Sequence, residues 1–246
     1  MKIKTTDIND VAIVTLDNGV TNAITRELIK DFTEVIGDIE KRYKGLIIRG
    51  NEKFFSMGFY LPELLSLSQP EFEQFYDNFN ELILKIFTLS IPTCSVIEGH
   101  AVAGGFIIAL STDFRIASPD RKIGLNEINL GVPVPFLAKE LLFRLTDQRN
   151  TAKFLYSGDF ITTDEGAKIG VIDEIDSSDE VLTNGLNLID IYKNKSRIAF
   201  DVIKKSLSFE ILSKLQSYKE WDKKTFFECW YSPESQEILK ETAKKF

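Results

Sequence analysis

The chain has 246 residues, 43% of them hydrophobic, and its 30 Lys and Arg against 37 Asp and Glu give a formal net charge of −7. That length can bury a large α/β core. No uncharged apolar run approaches the roughly eighteen residues of a membrane span, and Cys94 and Cys229 are too few and too distant for a disulfide scaffold or a Cys-based zinc site.

From the N-terminus, "MKIKTT" and "VAIVTL" read as a hairpin turning at Asn9-Asp10. The segment lacks the apolar stretch of a secretory signal and the Arg/Ser richness of a transit peptide, so the expectation is a soluble, cytoplasmic protein. Ile24, Leu28, Phe32, Val35, Ile36 and Ile39 then recur at helical spacing, with Thr25 as N-cap and Gly45 closing the helix. "GLIIRG" is a short apolar strand, and the strand-strand-helix order recurs loosely. A long amphipathic helix near 70–89 leads to the strand "TCSVIEG", and an apolar helix near 104–111 leads to "FRIAS" and "KIGLNE". Such alternation argues for α/β layering. Beyond Phe136 the text is mostly helical, with a capped helix from Thr163 to Gly170 before "VIDEI". Three amphipathic stretches then follow: "SRIAFDVIKKSL", "FEILSKLQSYKEWDKKTFFECWY" and "SPESQEILKETAKKF". Trp221, Phe226, Phe227 and Trp230 form an aromatic stripe, read as core or subunit contact. Residues 191–246 carry 12 Lys and Arg against 8 Asp and Glu, while the rest is acidic, which disfavours nucleic acid as the partner.

Three segments carry candidate chemistry. In "FFSMGFYLPELL", Gly58 permits a sharp turn and leaves the following amide unpaired; an ordinary strand-to-helix turn reads the same way. In "IEGHAVAGGFIIAL", Gly104-Gly105 opens a helix whose first N–H groups suit a developing oxyanion. Gly-Gly before a helix is common, and G-x-G-x-x-G is absent. His100 is the sole histidine, which excludes a multi-His metal site; it reads as a structural or loop residue. In "IGLNEINLGVPVPF", Glu127 is the only ionisable side chain in an apolar setting, where burial raises a carboxyl pKa. It is either a cap for the turn or a base kept dry.

Together "FSMGFYLPEL", "GHAVAGGFIIALSTDFRIAS" and "IGLNEINLGV" resemble, in order and spacing, the crotonase (enoyl-CoA hydratase/isomerase) superfamily, over about residues 8 to 207. "VTNAIT" is similar to the family's acyl-CoA-contacting turn, and "GDFITTDEGAKIGVIDEI" to its late helix-strand element. The resemblance implies an α/β ββα spiral core over 1–190 and a C-terminal helical trimerisation segment over 191–246. The partners it implies are an acyl-CoA thioester and further copies of the chain, as a homotrimer or dimer of trimers. It implies no membrane or nucleic acid, and no cofactor beyond the CoA of the substrate.

For the site, the resemblance implies that the Phe59 and Gly104 amides hold the thioester oxygen. Ala23, Phe55, Met57, Gly58, Gly105, Ile107, Leu125 and Val132 are then the substrate-binding positions. Hydratases of the family carry two glutamates; one position is Ile107 here and the other is Glu127. "IGLNEINLGVPVPF" looks like the matching segment of Δ3,Δ2-enoyl-CoA isomerases, in which a lone glutamate shuttles the proton. "GFYLPEL" also resembles a turn of 4-chlorobenzoyl-CoA dehalogenase, but that enzyme's nucleophilic carboxylate maps near Pro135. A one-glutamate hydratase, another specialised acyl-CoA enzyme, or a silent acyl-CoA-binding protein are the alternatives.

Overall fold

In the computed structural model, which describes residues 1–245, the chain opens with an antiparallel hairpin of β1 (Ile3–Ile8) and β2 (Val11–Leu16). Asn9 and Asp10 make its turn at φ +50° and +66°, the left-handed pair that a two-residue hairpin needs and that Asn and Asp tolerate. α1 (Arg26–Arg42) is capped by Thr25, whose hydroxyl accepts the Leu28 N–H, and it buries Leu28, Phe32, Ile36 and Ile39. The expected stop at Gly45 is corrected. The helix ends at Arg42, and Gly45 opens β3 (Gly45–Arg49). A Cβ at Gly45 would lie 2.3 Å from Ile189 Cγ2, so this glycine serves close packing.

From β3 the chain winds as a spiral. Its first turn continues through β4 (Phe54–Ser56), α2 (Leu61–Leu64) and α3 (Gln69–Phe87). The second contains β5 (Thr93–Ile97), β6 (His100–Val102) and α4 (Gly104–Leu110), and the third β7 (Phe114–Ala117) and β8 (Lys122–Gly124). A 3-10 turn (Glu127–Leu130), α5 (Phe136–Leu145), α6 (Gln148–Ser157), β9 (Ile161–Thr162), α7 (Thr163–Lys168) and β10 (Glu174–Ile175) follow. The first strand of each turn joins a six-stranded sheet ordered β1-β2-β3-β5-β7-β10, and the second a four-stranded sheet ordered β4-β6-β8-β9. Spiral neighbours in both sheets are parallel. β3 and β5 are buried almost throughout; β3 accordingly reads as a short apolar run, while β5 buries Thr93 and Ser95 among its apolar residues.

α8 (Val181–Lys193), α9 (Arg197–Trp230) and α10 (Pro233–Ala243) complete the fold. The two stretches expected on either side of residue 208 are one 34-residue helix, because no Gly or Pro interrupts 197–230. Residue 190 lies within α8, whose Gly185 and Ile189 pack on the main sheet. Phe226, Phe227 and Trp230 are core of this same chain. Trp230 lies 4.3 Å from Phe72 and Phe226 lies 4.4 Å from Tyr76, between ring centroids, while Trp221 stays exposed. Lys204 anchors the first half of α9, its buried ammonium 2.8 Å from Asp113 Oδ2. Among the described residues no helix is long and apolar enough to cross a membrane.

Candidate active site

The three segments singled out in the sequence leave the C-terminal ends of three neighbouring parallel strands. β4 runs into Met57–Phe59, β6 into Ala103–Gly104, and β8 into Leu125–Glu127. Loops at the carboxyl ends of parallel strands are a general place for ligands, because several chain turns converge there. Here they enclose a cavity of about 320 Å³. Met57, Phe59, Gly104, Ile107, Glu127 and Val132 line it. Phe226 and Trp230 of α9, with Thr242 and Lys245 beyond them, close it from the same chain.

Two backbone amides are left over at this point. Phe59 forms an isolated parallel bridge with Ile24, in which Gly58 C=O accepts the Ile24 N–H (2.8 Å) and Tyr60 N–H donates to Ile24 C=O (3.0 Å). The Phe59 N–H therefore points away from Ile24, and it has no acceptor among the described residues. The Gly104 N–H, first in α4, likewise has none. A Cβ placed on Gly58 would sit 3.1 Å from Gly104 N, so the two turns touch. Ala103, which aims that amide, sits at φ +48° and ψ −129°, a conformation that costs an L residue about 1–3 kcal/mol. The Phe59 ring is locked edge-on between Phe75 and Phe79 at 5.0 and 4.8 Å.

Glu127 opens the 3-10 turn and is 7% exposed. Its carboxyl caps nothing, and Oε2 has no hydrogen-bond partner. Burial pushes the pKa up to about 7, while its own backbone amide pulls weakly the other way. Among the described residues it is the only carboxyl lining the cavity, and Ile107 faces the same space one turn into α4. The arrangement can take a proton from, and return it to, a carbon whose carbonyl oxygen rests on the two amides.

Not every expected residue reaches the cavity. Phe55 and Leu125 are fully buried core; Phe55 lies within β4, where side chains alternate and it points to the face opposite Phe54, and Leu125 follows the end of β8. Phe54, not Phe55, lines the cavity. Ala23 and Gly105 are buried behind the lining and Gly58 turns the backbone without entering it. His100 is a strand residue rather than a loop one. It lines the far end of the cavity, where its Nδ1 accepts the Lys122 N–H at 2.9 Å. Sequence reasoning missed Phe54, Asn126, Leu130, Phe160 and the α9 and α10 residues as lining. Only Phe226 and Trp230 carried a signal, in the aromatic stripe. Among the described residues no group of three or more His, Cys, Asp or Glu is placed to hold a metal ion.

Comparison with known proteins gives a consistent grouping. The family profile described as Enoyl-CoA hydratase/isomerase matches residues 6–246. Enoyl-CoA delta isomerase 1, mitochondrial, from Mus musculus is 31% identical over 176 residues, covering 70% of this chain and 61% of that protein's length. Among solved structures, human mitochondrial delta3-delta2-enoyl-CoA isomerase superposes with a TM-score of 0.94 at 23% identity, covering 100% of this chain and 98% of that one. Enoyl-CoA hydratase from Bacillus halodurans gives 0.89 at 24%, covering 98% and 100%. An isomerase and a hydratase thus share the fold, which does not choose between the two reactions.

Proposed function

The chain belongs to the enoyl-CoA hydratase/isomerase family, and from that premise we propose that it moves the double bond of a 3-enoyl-CoA into conjugation, giving the 2-enoyl-CoA. The thioester oxygen rests on the Phe59 and Gly104 amides, and Glu127 as carboxylate removes a proton from the α-carbon. Negative charge spreads over the dienolate to that oxygen, and the protonated Glu127 delivers the proton to the γ-carbon. No water is consumed. A carboxyl with a pKa of about 7 is near half-ionised at neutral pH, which serves both halves of the shuttle. Each amide is worth about 3–4 kcal/mol if it acts like comparable oxyanion donors.

One observation carries the choice of reaction. Among the described residues the cavity holds a single carboxyl, whose Oε2 has no partner, and the position where hydratases of the family carry a second is Ile107. Adding water calls for one group to activate the water and another to manage the α-carbon proton; moving a double bond needs only one. The mouse relative's name agrees with this reading. We further propose a homotrimer or dimer of trimers in the cytoplasm, built on the exposed apolar side of α9. The mouse relative is named mitochondrial, so cell fractionation tests the location.

The deciding experiment gives purified protein a medium-chain 3-enoyl-CoA and identifies the products by mass and chromatography. Accumulation of 2-enoyl-CoA without 3-hydroxyacyl-CoA supports the isomerase. Hydroxyacyl product would replace it with a hydratase. Binding without turnover on short, medium and long chains would leave a specialised substrate or a silent acyl-CoA binder. Glu127→Gln should abolish turnover and leave acyl-CoA affinity within a few fold.

A further inference from the structure

The geometry points to Ser56 as the positioning residue that sets the two oxyanion amides against each other. Ser56 is the last residue of β4 and wholly buried. Its hydroxyl donates to Asn22 C=O at 2.7 Å and accepts the Gly58 N–H at 3.1 Å. Across the turn that follows, the Met57 N–H goes to Thr21 C=O at 3.0 Å and the Tyr60 N–H to Ile24 C=O at 3.0 Å. Of four successive amides, three are spent, and the one left over is that of Phe59. Ser56 consumes the one adjacent to it.

Ser56 also bears on the second donor. A Cβ on Gly105 would lie 2.3 Å from Ser56 O and 2.7 Å from Ser56 Cβ, so the first turn of α4 rests directly on this serine. Gly104, whose amide is the second donor, is the residue before. One residue thus fixes, through its hydroxyl, the turn that presents the Phe59 amide and supports, through its backbone and Cβ, the helix end that presents Gly104. Asn22 supports the serine in turn. It is wholly buried at φ +47°, its Oδ1 accepts the Asn18 N–H (3.0 Å), and its Nδ2 donates to Phe54 C=O (3.1 Å). Without the Ser56 hydroxyl, the Gly58 N–H is buried and unpaired, and the turn gains a reason to rotate toward another acceptor. A rotation of that kind moves the Phe59 amide off the position that the oxyanion, not the ground-state carbonyl, would occupy.

This inference rests on the oxyanion-hole reading given above, so its test separates the two. 3-Hexenoyl-CoA supplies turnover. Cinnamoyl-CoA, whose conjugated carbonyl absorbs at longer wavelength when its oxygen is polarised, reports the hole directly. For Ser56→Ala we expect kcat to fall about tenfold with KM within about threefold. Most of the wild-type red shift of bound cinnamoyl-CoA should be lost as well. Ser56→Cys, whose thiol makes weaker hydrogen bonds at similar size, should fall between the two, and it carries the test alone if the alanine variant does not fold. Undiminished kcat and red shift in a folded variant would overturn the role of Ser56. So would lowered thermal stability with an unchanged red shift per bound ligand, since that is a structural role only. Absence of any red shift in the wild-type protein would instead remove the oxyanion hole, and this inference with it.

Discussion

Burial lifts the Glu127 carboxyl from an ordinary 4.5 to about 7, so between those values the folded protein holds a proton that the unfolded chain releases. Stability contributed at this residue therefore falls as pH rises through that window. Above pH 7 a cost on the order of 3 kcal/mol remains in full. Glu127→Gln removes the cost, and the variant should be more stable than wild type at pH 8 by up to that amount, with a much smaller gain at pH 5. Denaturant midpoints at the two pH values measure it; an equal gain at both would mean that desolvation of Glu127 is not the cause. In the proposed mechanism the same ionisation sets the rate, because the base must be charged to accept the α-proton, so kcat/KM should climb through pH 7 to a plateau. Ile107→Glu is the complementary change. It places a second carboxyl on the cavity wall and should bring measurable hydration of 2-enoyl-CoA. If a folded variant shows none, the identity of residue 107 does not explain the choice of reaction. Glu127 was legible in the sequence because an isolated acid in an apolar stretch is conspicuous. Ser56 was not, since one serine two residues ahead of a glycine announces nothing until its partners Asn22 and Gly58 are seen around it.

At the scale of elements, α9 is positioned over the cavity by Asp222. Its Oδ1 accepts the Phe136 N–H at the start of α5 (3.0 Å), and its Oδ2 accepts the Tyr76 hydroxyl of α3 (3.2 Å). One and two turns further along α9 stand Phe226 and Trp230, which close the cavity. Asp222→Ala would leave the helix-end Phe136 amide without its acceptor and the Tyr76 hydroxyl without the carboxylate it donates to, and should cost about 2 kcal/mol. Amide exchange near residues 222–230 should quicken while the β1–β2 hairpin is unaffected. Uniform exchange across both regions would show that Asp222 does not localise α9. Elements with strong local signals were legible: the hairpin from Asn9-Asp10, α1 from its Thr25 cap and periodicity, α3 and α4 from their apolar faces. The continuous α9 was not, because its outward face is apolar in one half and polar in the other, which blurs helical periodicity. Nor was the sheet partition, since which strand of a pair joins which sheet is decided by contacts remote in sequence.

For the whole molecule, the first half of α9 leaves Ile198, Val202, Leu207 and Phe209 between 60% and 81% exposed, more apolar surface than an isolated helix face ordinarily shows to water. The second half of the same helix buries Phe226, Phe227 and Trp230 in its own core. The helix therefore has an inner end that closes the cavity and an outer end free to meet another copy. This division yields a prediction about which function association serves. Val202→Glu with Leu207→Glu should convert an assembly of 28.0 kDa protomers to monomers in sedimentation or light scattering. Because Glu127, both amides and the lining from α9 and α10 come from one chain, the monomer should keep turnover within a few fold while unfolding at lower temperature. A wild-type protein that is monomeric at micromolar concentration would remove the interface. A monomeric variant that is folded yet inactive would show that a neighbouring copy supplies part of the site, and the enclosure seen within one chain would then be incomplete.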